Sequence, residues 1–273
     1  MTVGSSSIRD LPHGLTDADE LARALGGARP AVFLDYDGVL TPIVDHPEDA
    51  VMSERMREVV RDLAQRCTVC VVSGRDRPVV QELMGVHDLV VAGSHGFDIW
   101  SPERGTLEHE AASGFEPLLE QVTETLRDEL GSIEGVVIEP KRASVAVHWR
   151  LVSEDERPRV EAVVRRVLDE HPDELKVTPG KMVAELQPKL DWDKGRAVLY
   201  LLDALGLDRD DVVPLYLGDD VTDEHAFRAL AGRGVAIFVG AADDPEVAGR
   251  TTAADFVLGS VDDVERFLDG LAR

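Results

Sequence analysis

The chain has 273 residues, 44% hydrophobic and 30% charged, which is enough for a sizeable core and for one large or two modest domains. Its 53 acidic residues against 29 Lys and Arg give a net charge of −24, which argues against nucleic acid and anionic membrane surfaces as partners. A small anionic substrate stays open, because a bound cation or a local basic pocket overrides the bulk field. No run approaches the ~18 apolar residues of a membrane span, and the N-terminus lacks a leader pattern, so a cytoplasmic location is expected.

Residues 1–14 read as a loose tail. TDADELARALG (16–26) has a Thr or Asp N-cap, helical spacing and a closing Gly, and predicts a helix. AVFLDYD (31–37) is a continuous apolar strand of the kind buried on both faces of a parallel sheet. SERMREVVRDLAQR (53–66) predicts an amphipathic helix and CTVCVVSGR (67–75) a second strand. Cys67 and Cys70, three apart in that strand, would point to opposite faces, and read as buried strand residues rather than a redox or metal pair. DRPVVQELMG (76–85) is a short helix and LVVAGSHG (89–96) a third strand, so strands and helices alternate as in a parallel α/β sheet.

The alternation then breaks. Helices over 113–131 and 153–171 are each followed by two strand-like pieces, 135–142 with 143–150 and 175–181 with 182–188. The alternating polar and apolar residues of SVAVHW suit an antiparallel sheet with one open face, and one of His148 and Trp149 should enter its core. From Trp192 the α/β pattern resumes: helix 193–206, strand 212–220, helix 222–232, strands 235–240 and 254–260, helix 261–272. The organisation expected is an α/β core of residues 1–107 and 189–273, interrupted by an α+β cap of residues 108–188. Open α/β sheets bind ligands outside the carboxyl ends of their strands, and such an insertion is expected over that end.

Asp35 and Asp37 end the first apolar strand, two apart and on one side of it. Like carboxylates at an apolar strand end repel, and a divalent cation resolves the cost. A second acidic set, Asp219, Asp220 and Asp223, ends the strand in VVPLYLGDD. Hard oxygen ligands in this number fit Mg²⁺. An aspartate beside Mg²⁺ can attack phosphorus, and Asp37 could protonate the leaving alkoxide and later activate water. Ser73 with its turn, and Lys194, would supply donors and charge to the phosphoryl oxygens.

DYDGVL, SGR, the lysine of WDKG and GDDVTDE, in that order with an insertion between the second and third, resemble the four motifs of the haloacid dehalogenase-like phosphatases. GSHG (93–96), EPKRASVAVHWR (139–150), PGKMVAELQP (179–188) and LDWDKG (190–195) narrow this to the trehalose-6-phosphate phosphatase family, from about residue 30 onward. The resemblance implies a Rossmann-like parallel-sheet core with a C2-type α+β cap, and Mg²⁺-dependent hydrolysis of trehalose 6-phosphate through an aspartyl-phosphate. It implies Asp35 as nucleophile and Asp37 as general acid/base. Asp35, the Asp37 carbonyl, Asp219 and Asp223 would serve the metal. Ser73, Gly74 and Lys194 would hold the phosphate. Lys141, Arg150 and Glu185 would grip the sugar, with Ser144, His148 and Lys181 as secondary candidates and His95 as a further substrate contact. A trehalose-phosphate synthase-like glycosyltransferase is the implied pathway partner. Two positions depart from the family pattern: Val39 stands where D-x-D-G-T has threonine, and Gln187 where E-x-R-P has arginine. They leave open another sugar or pseudo-disaccharide phosphate, such as an aminocyclitol-containing analogue. A receiver-type phosphoacceptor domain would also use a strand-end aspartate, but it predicts a chain near half this length, no cap and no role for Asp37.

Overall fold

The computed structural model describes residues 5–44, 46–107, 114–180, 182–245 and 247–273. The chain forms two compact units, Met1–Leu107 with Trp192–Arg273, and Glu108–Asp191. In chain order the first unit begins with β1 (Ser6–Ser7), α1 (Ala18–Leu25), β2 (Arg29–Leu34), α2 (Glu54–Ala64), β3 (Val69–Val72), α3 (Arg77–Met84), β4 (Val90–Gly93), β5 (Asp98–Ser101) and β6 (Gly105–Leu107). The second unit holds α4 (Glu116–Leu130), β7 (Val137–Pro140), β8 (Val145–His148), α5 (Arg157–Glu170), β9 (Leu175–Gly180) and β10 (Val183–Pro188). The first unit is completed by α6 (Lys194–Ala204), β11 (Val212–Gly218), α7 (Asp223–Leu230), β12 (Val235–Val239), β13 (Thr251–Thr252), β14 (Phe256–Leu258) and α8 (Val261–Leu271).

The first unit's sheet runs in the order β14-β12-β11-β2-β3-β4-β5-β6, parallel from β14 to β4 and antiparallel from β4 to β6. Buried on both faces, β2 presents Val32, Phe33 and Leu34 without exposure, as a central parallel strand should. The helices close the sheet with apolar stripes: α2 buries Met56, Val59, Val60 and Leu63, spaced by three and four. Its start is fixed by Ser53, whose side chain accepts from the Met56 N–H. Leu34 pairs in register with Leu217 on one side and Val71 on the other. The carboxyl ends of β2, β3 and β11 therefore lie side by side, and the residues just past them share one edge.

Three expectations are corrected here. The described part of the N-terminal stretch is not loose: Ser6 and Ser7 pair with Thr252 and Thr251, Ile8 is buried, and His13 bridges Val257. The reason is that β14 would otherwise leave an open edge, and Ile8 gains by burial. Cys67 is a half-buried residue of the turn before β3, its thiol donating to the Leu63 carbonyl, so only Cys70 is a buried strand residue. The hairpin β5–β6 adds two antiparallel strands that the sequence reading left unassigned.

In the second unit the sheet order is β7-β8-β10-β9, antiparallel throughout. Helix α4 buries Leu119, Val122, Leu126 and Leu130, and α5 buries Val160, Val164 and Val167. The polar–apolar alternation is expressed in β10, where Ala184, Leu186 and Pro188 are buried and Val183, Glu185 and Gln187 are half-buried. The inner strand β8 is instead buried from Val145 through Val147. His148 and Trp149 are both half-buried, so neither is the core residue expected of the pair; His148 instead meets Glu139 through Nε2 at 2.9 Å.

Candidate active site

Asp35 follows β2 directly and is buried, its N–H donating to the Leu217 carbonyl of the neighbouring strand. Lys194 opens α6 behind the N-cap Asp193, and is also buried. Its Nζ donates to Asp35 Oδ2 and to Asp223 Oδ1, each at 2.7 Å. Asp223, at the start of α7, is fully buried and accepts also from the Tyr216 hydroxyl at 2.7 Å and from the N–H groups of Asp219 and Asp220 at 3.1 and 3.0 Å. Burial opposes its ionisation, but the Lys194 ammonium and these bonds outweigh it and hold its carboxyl below the usual range.

The other two carboxyls go the opposite way. Burial, then the Asp223 charge, pushes Asp35 well above the usual carboxylate range. The same two causes, in the same order, push Asp219 up to about 7. Oxygens of Asp35, Asp219 and Asp223 lie within 4.8 Å of one another. Three buried or part-buried carboxylates thus face one ammonium, and a divalent cation would let all three ionise together. The donor set, all oxygen, fits a hard ion. The backbone respects the same space: Gly38 has φ +73°, and a Cβ there would lie 2.2 Å from Asp219 Oδ2.

Asp37 points elsewhere. Both its oxygens accept from Arg75, Oδ2 from Nε and Oδ1 from Nη2, each at 2.7 Å, and Arg75 Nη1 donates to the Pro47 carbonyl. This fork fixes the plane of the Asp37 carboxylate. Asp37 is therefore absent from the carboxylate trio, which leaves its backbone carbonyl as its route to a metal. Burial and the Asp37 charge raise the Tyr36 phenol to about 12, and its hydroxyl donates to the Ala50 carbonyl at 2.6 Å.

A cavity of about 610 Å³ opens on this edge, lined among others by Asp35, Asp37, Gly74, Arg75, His95 and Lys194. Ser73 does not line it: the residue is fully buried and its hydroxyl accepts from the Arg75 N–H, so Gly74 and Arg75 form that wall. His95 holds a left-handed φ of +57°, and a Cβ on Gly74 would lie 2.7 Å from its ring, which ties the two motifs together. Val39 faces away from the cavity, fully buried in the apolar core. The missing threonine hydroxyl at this position thus takes nothing from the cavity wall.

In the second unit Ser144 Oγ donates to Glu185 Oε1 at 2.5 Å, and Lys141 Nζ lies 3.5 Å from the same oxygen. Lys141 and Ser144, in the connection between β7 and β8, therefore form one group with Glu185 of β10. Arg150 is exposed in the turn beyond β8 and is not brought to that group. Lys181 lies outside the described residues. The sequence reading missed Tyr216 and Arg250. A hydroxyl-tipped aromatic among the apolar residues of β11, three before the acids, was the available signal for the first. Arg250 lines the cavity, packs over the Phe238 ring at 5.4 Å and donates to the Asp219 carbonyl at 3.5 Å.

The family model described as trehalose-phosphatase matches residues 33–257. The chain belongs to the trehalose-phosphatase family. The trehalose-phosphate phosphatase of Mycobacterium bovis is 42% identical over 271 residues, 99% of this chain and 68% of that protein. The solved structure of Aspergillus fumigatus trehalose-6-phosphate phosphatase is 30% identical, with a TM-score of 0.66, covering 96% of this chain and 98% of that one. A haloacid dehalogenase-like hydrolase from Bacteroides thetaiotaomicron, at 17% identity, TM-score 0.61 and 88% and 98% coverage, shares the fold. As a member of this family the chain is a phosphatase with a haloacid dehalogenase-like core, whose fold class agrees with the sequence expectation. Family members of this fold generally use a divalent metal, for which the Asp35, Asp219 and Asp223 trio is suited. Among the described residues, no helix is long and apolar enough to cross a membrane.

Proposed function

We propose that this protein hydrolyses trehalose 6-phosphate to trehalose and orthophosphate, with Asp35 as the nucleophile. The observation that supports this most directly is the cluster of Asp35, Asp219 and Asp223, with Lys194 bonded to the first and last, in a chain related over nearly its whole length to proteins named for that activity. Asp35 attacks phosphorus, the P–O bond to the sugar breaks, and the sugar oxygen takes a proton from Asp37. In the second half Asp37 takes a proton from water, the water oxygen attacks phosphorus, and the Asp35 carboxylate departs with phosphate released. Lys194, fixed by Asp35 and Asp223 at 2.7 Å, stands ready to meet a phosphoryl oxygen. Arg75 holds both oxygens of Asp37, so proton delivery requires one arm of that fork to open.

Mg²⁺ would be held by Asp35, the Asp37 carbonyl and Asp219, with Asp223 in support. When bound it would supply Lewis-acid polarisation of the phosphoryl oxygens. Lys141 and Glu185 are assigned to the sugar hydroxyls, with Arg150 as a separate contact from the turn beyond β8; recognition by hydrogen bonds rejects analogues lacking them. The buried side chain of Val39 removes one of the two reasons for preferring a different sugar phosphate, leaving Gln187.

The test is phosphate release from trehalose 6-phosphate, glucose 6-phosphate, sucrose 6-phosphate and an aminocyclitol phosphate, with and without EDTA. Trehalose 6-phosphate should show the highest kcat/KM, and EDTA should abolish it. Asp35→Asn should lower kcat by at least ~10³-fold with the fold retained. A better substrate elsewhere in the panel overturns the substrate assignment, and full activity of Asp35→Asn overturns the nucleophile.

A further inference from the structure

The amino ends of the central strands, opposite the Asp35 edge, carry a second cavity of about 500 Å³. Arg29 opens β2 there, Arg209 precedes β11, Arg66 sits in the turn after α2, and Arg104 in the β5–β6 hairpin; all four line the cavity. Among the described residues, two acids, Asp88 and Glu103, line it with them. In a chain with 53 acidic against 29 basic residues this reverses the prevailing charge.

Among the described residues, two of the four guanidinium groups bond only to main-chain oxygens, Arg66 Nη1 to Arg273 at 2.8 Å and Arg104 Nη1 to Ala204 at 2.6 Å. Arg209 forks onto Asp211 at 2.8 and 2.9 Å. Arg29 makes no side-chain hydrogen bond or ion pair among the described residues. Arg29, Arg66 and Arg104 therefore keep unbonded N–H donors among the residues that line the cavity, while Asp211 offsets the charge of Arg209 and also feels that of Arg29. Guanidinium groups present planar pairs of N–H donors that match phosphate oxygens. The volume is that of a small-molecule pocket. A nucleic acid would follow a basic stripe on an otherwise tolerant surface, whereas here a concavity is set in a strongly acidic molecule.

We propose that this cavity is a second anion site, which binds a small molecule carrying phosphate groups at the end of the sheet away from the catalytic edge. The proposal stands apart from the catalytic reading and does not depend on it. An occupant would touch the hairpin whose second strand ends at Leu107, and the Leu205–Leu207 stretch that ends the helix begun by Lys194. It would thus brace segments on both sides of the insertion point.

Cys67 lines the same cavity, half-buried, while the chain's other cysteine, Cys70, is fully buried. That makes Cys67 a local reporter. The intact protein is treated with an uncharged disulfide reagent, and the rate of Cys67 modification is followed by peptide mass spectrometry. The probes are pyrophosphate, orthophosphate, glucose 6-phosphate, and KCl at matched ionic strength. Pyrophosphate should slow the reaction at least fivefold and saturably, and KCl should not; comparison of the two phosphate arms separates free phosphate from a phosphorylated metabolite as the preferred class. Arg29→Ser/Arg104→Ser should lose the protection, and Arg66→Gln should weaken the apparent affinity at least threefold. Phosphate release should be unchanged in both variants without added anion. Absence of protection in the parent protein, or equal protection in the double variant, overturns the proposal, and neither result bears on catalysis at Asp35.

Discussion

Gly38 lies so close to the Asp219 carboxylate that the space between them is too small for a methyl group. Replacing it with Ala would drive a Cβ into Asp219 and force a left-handed residue to carry a side chain. The strain is about 1–2 kcal/mol, and the larger effect falls on Asp219. Gly38→Ala should lower kcat/KM at least ~10-fold, with a weaker apparent metal affinity in a Mg²⁺ titration of phosphate release. The two thiols offer a prediction with a pH sign. Burial raises Cys67 to about 11 and Cys70 further, so the folded state keeps protons that the unfolded chain releases near its ordinary thiol value. This contribution is complete below about pH 8.5 and is lost as pH rises toward 11. The urea midpoint should therefore fall between pH 8.5 and 10.5, and Cys67→Ser should reduce that fall. At this scale Asp35, Lys194 and the acids of the β11 end were legible because charges at the ends of apolar strands contradict their surroundings. The direction of a side chain was not legible: Val39 read as a defect in the site, yet its turn carries it into the core. The fork of Arg75 on Asp37 required a fold that brings residues 38 apart into contact.

Helices whose starts carry a capping side chain were placed closely by sequence, and those caps have a measurable worth. Ser53, which is not among the residues lining the catalytic cavity, caps α2 through its bond from the Met56 N–H. Ser53→Ala should cost about 1 kcal/mol in urea unfolding and leave kcat/KM within twofold. The parallel strands were legible for a related reason: runs such as AVFL and VCVV are short, apolar and bounded by polar turns. The β5–β6 hairpin was not, since DIWS and GTL are short and mixed, and they gain their strand character from pairing with β4 rather than from composition. The strands of the second unit were seen, but which of them lay inside the sheet followed from the order β7-β8-β10-β9, which no local pattern records.

At the scale of the whole molecule, one end of the sheet is closed by the chain's own beginning. The Val257 N–H donates to the Pro12 carbonyl and the Gly14 N–H to the Val257 carbonyl, so β14 offers no free edge there. Removing residues 1–14 should expose that edge and lower soluble yield, with a rise in light scattering on warming, while full-length protein stays clear. Retained solubility and an unchanged scattering onset would show that the edge needs no cover. The order of the strands also governs how the protein is made. Strand β2 lies between β3, which follows soon after it, and β11, which arrives only after the whole inserted unit has been synthesised. Lys194 comes 159 residues after Asp35. Until it does, a nascent chain that has formed β2 to β6 holds its aspartate at an apolar end without a counter-charge. The partner strand and the neutralising cation thus arrive together and late, so contacts of high sequence separation set the pace. The last of the strands flanking β2 and the cation that balances Asp35 both wait on one late stretch of synthesis, residues 194–218.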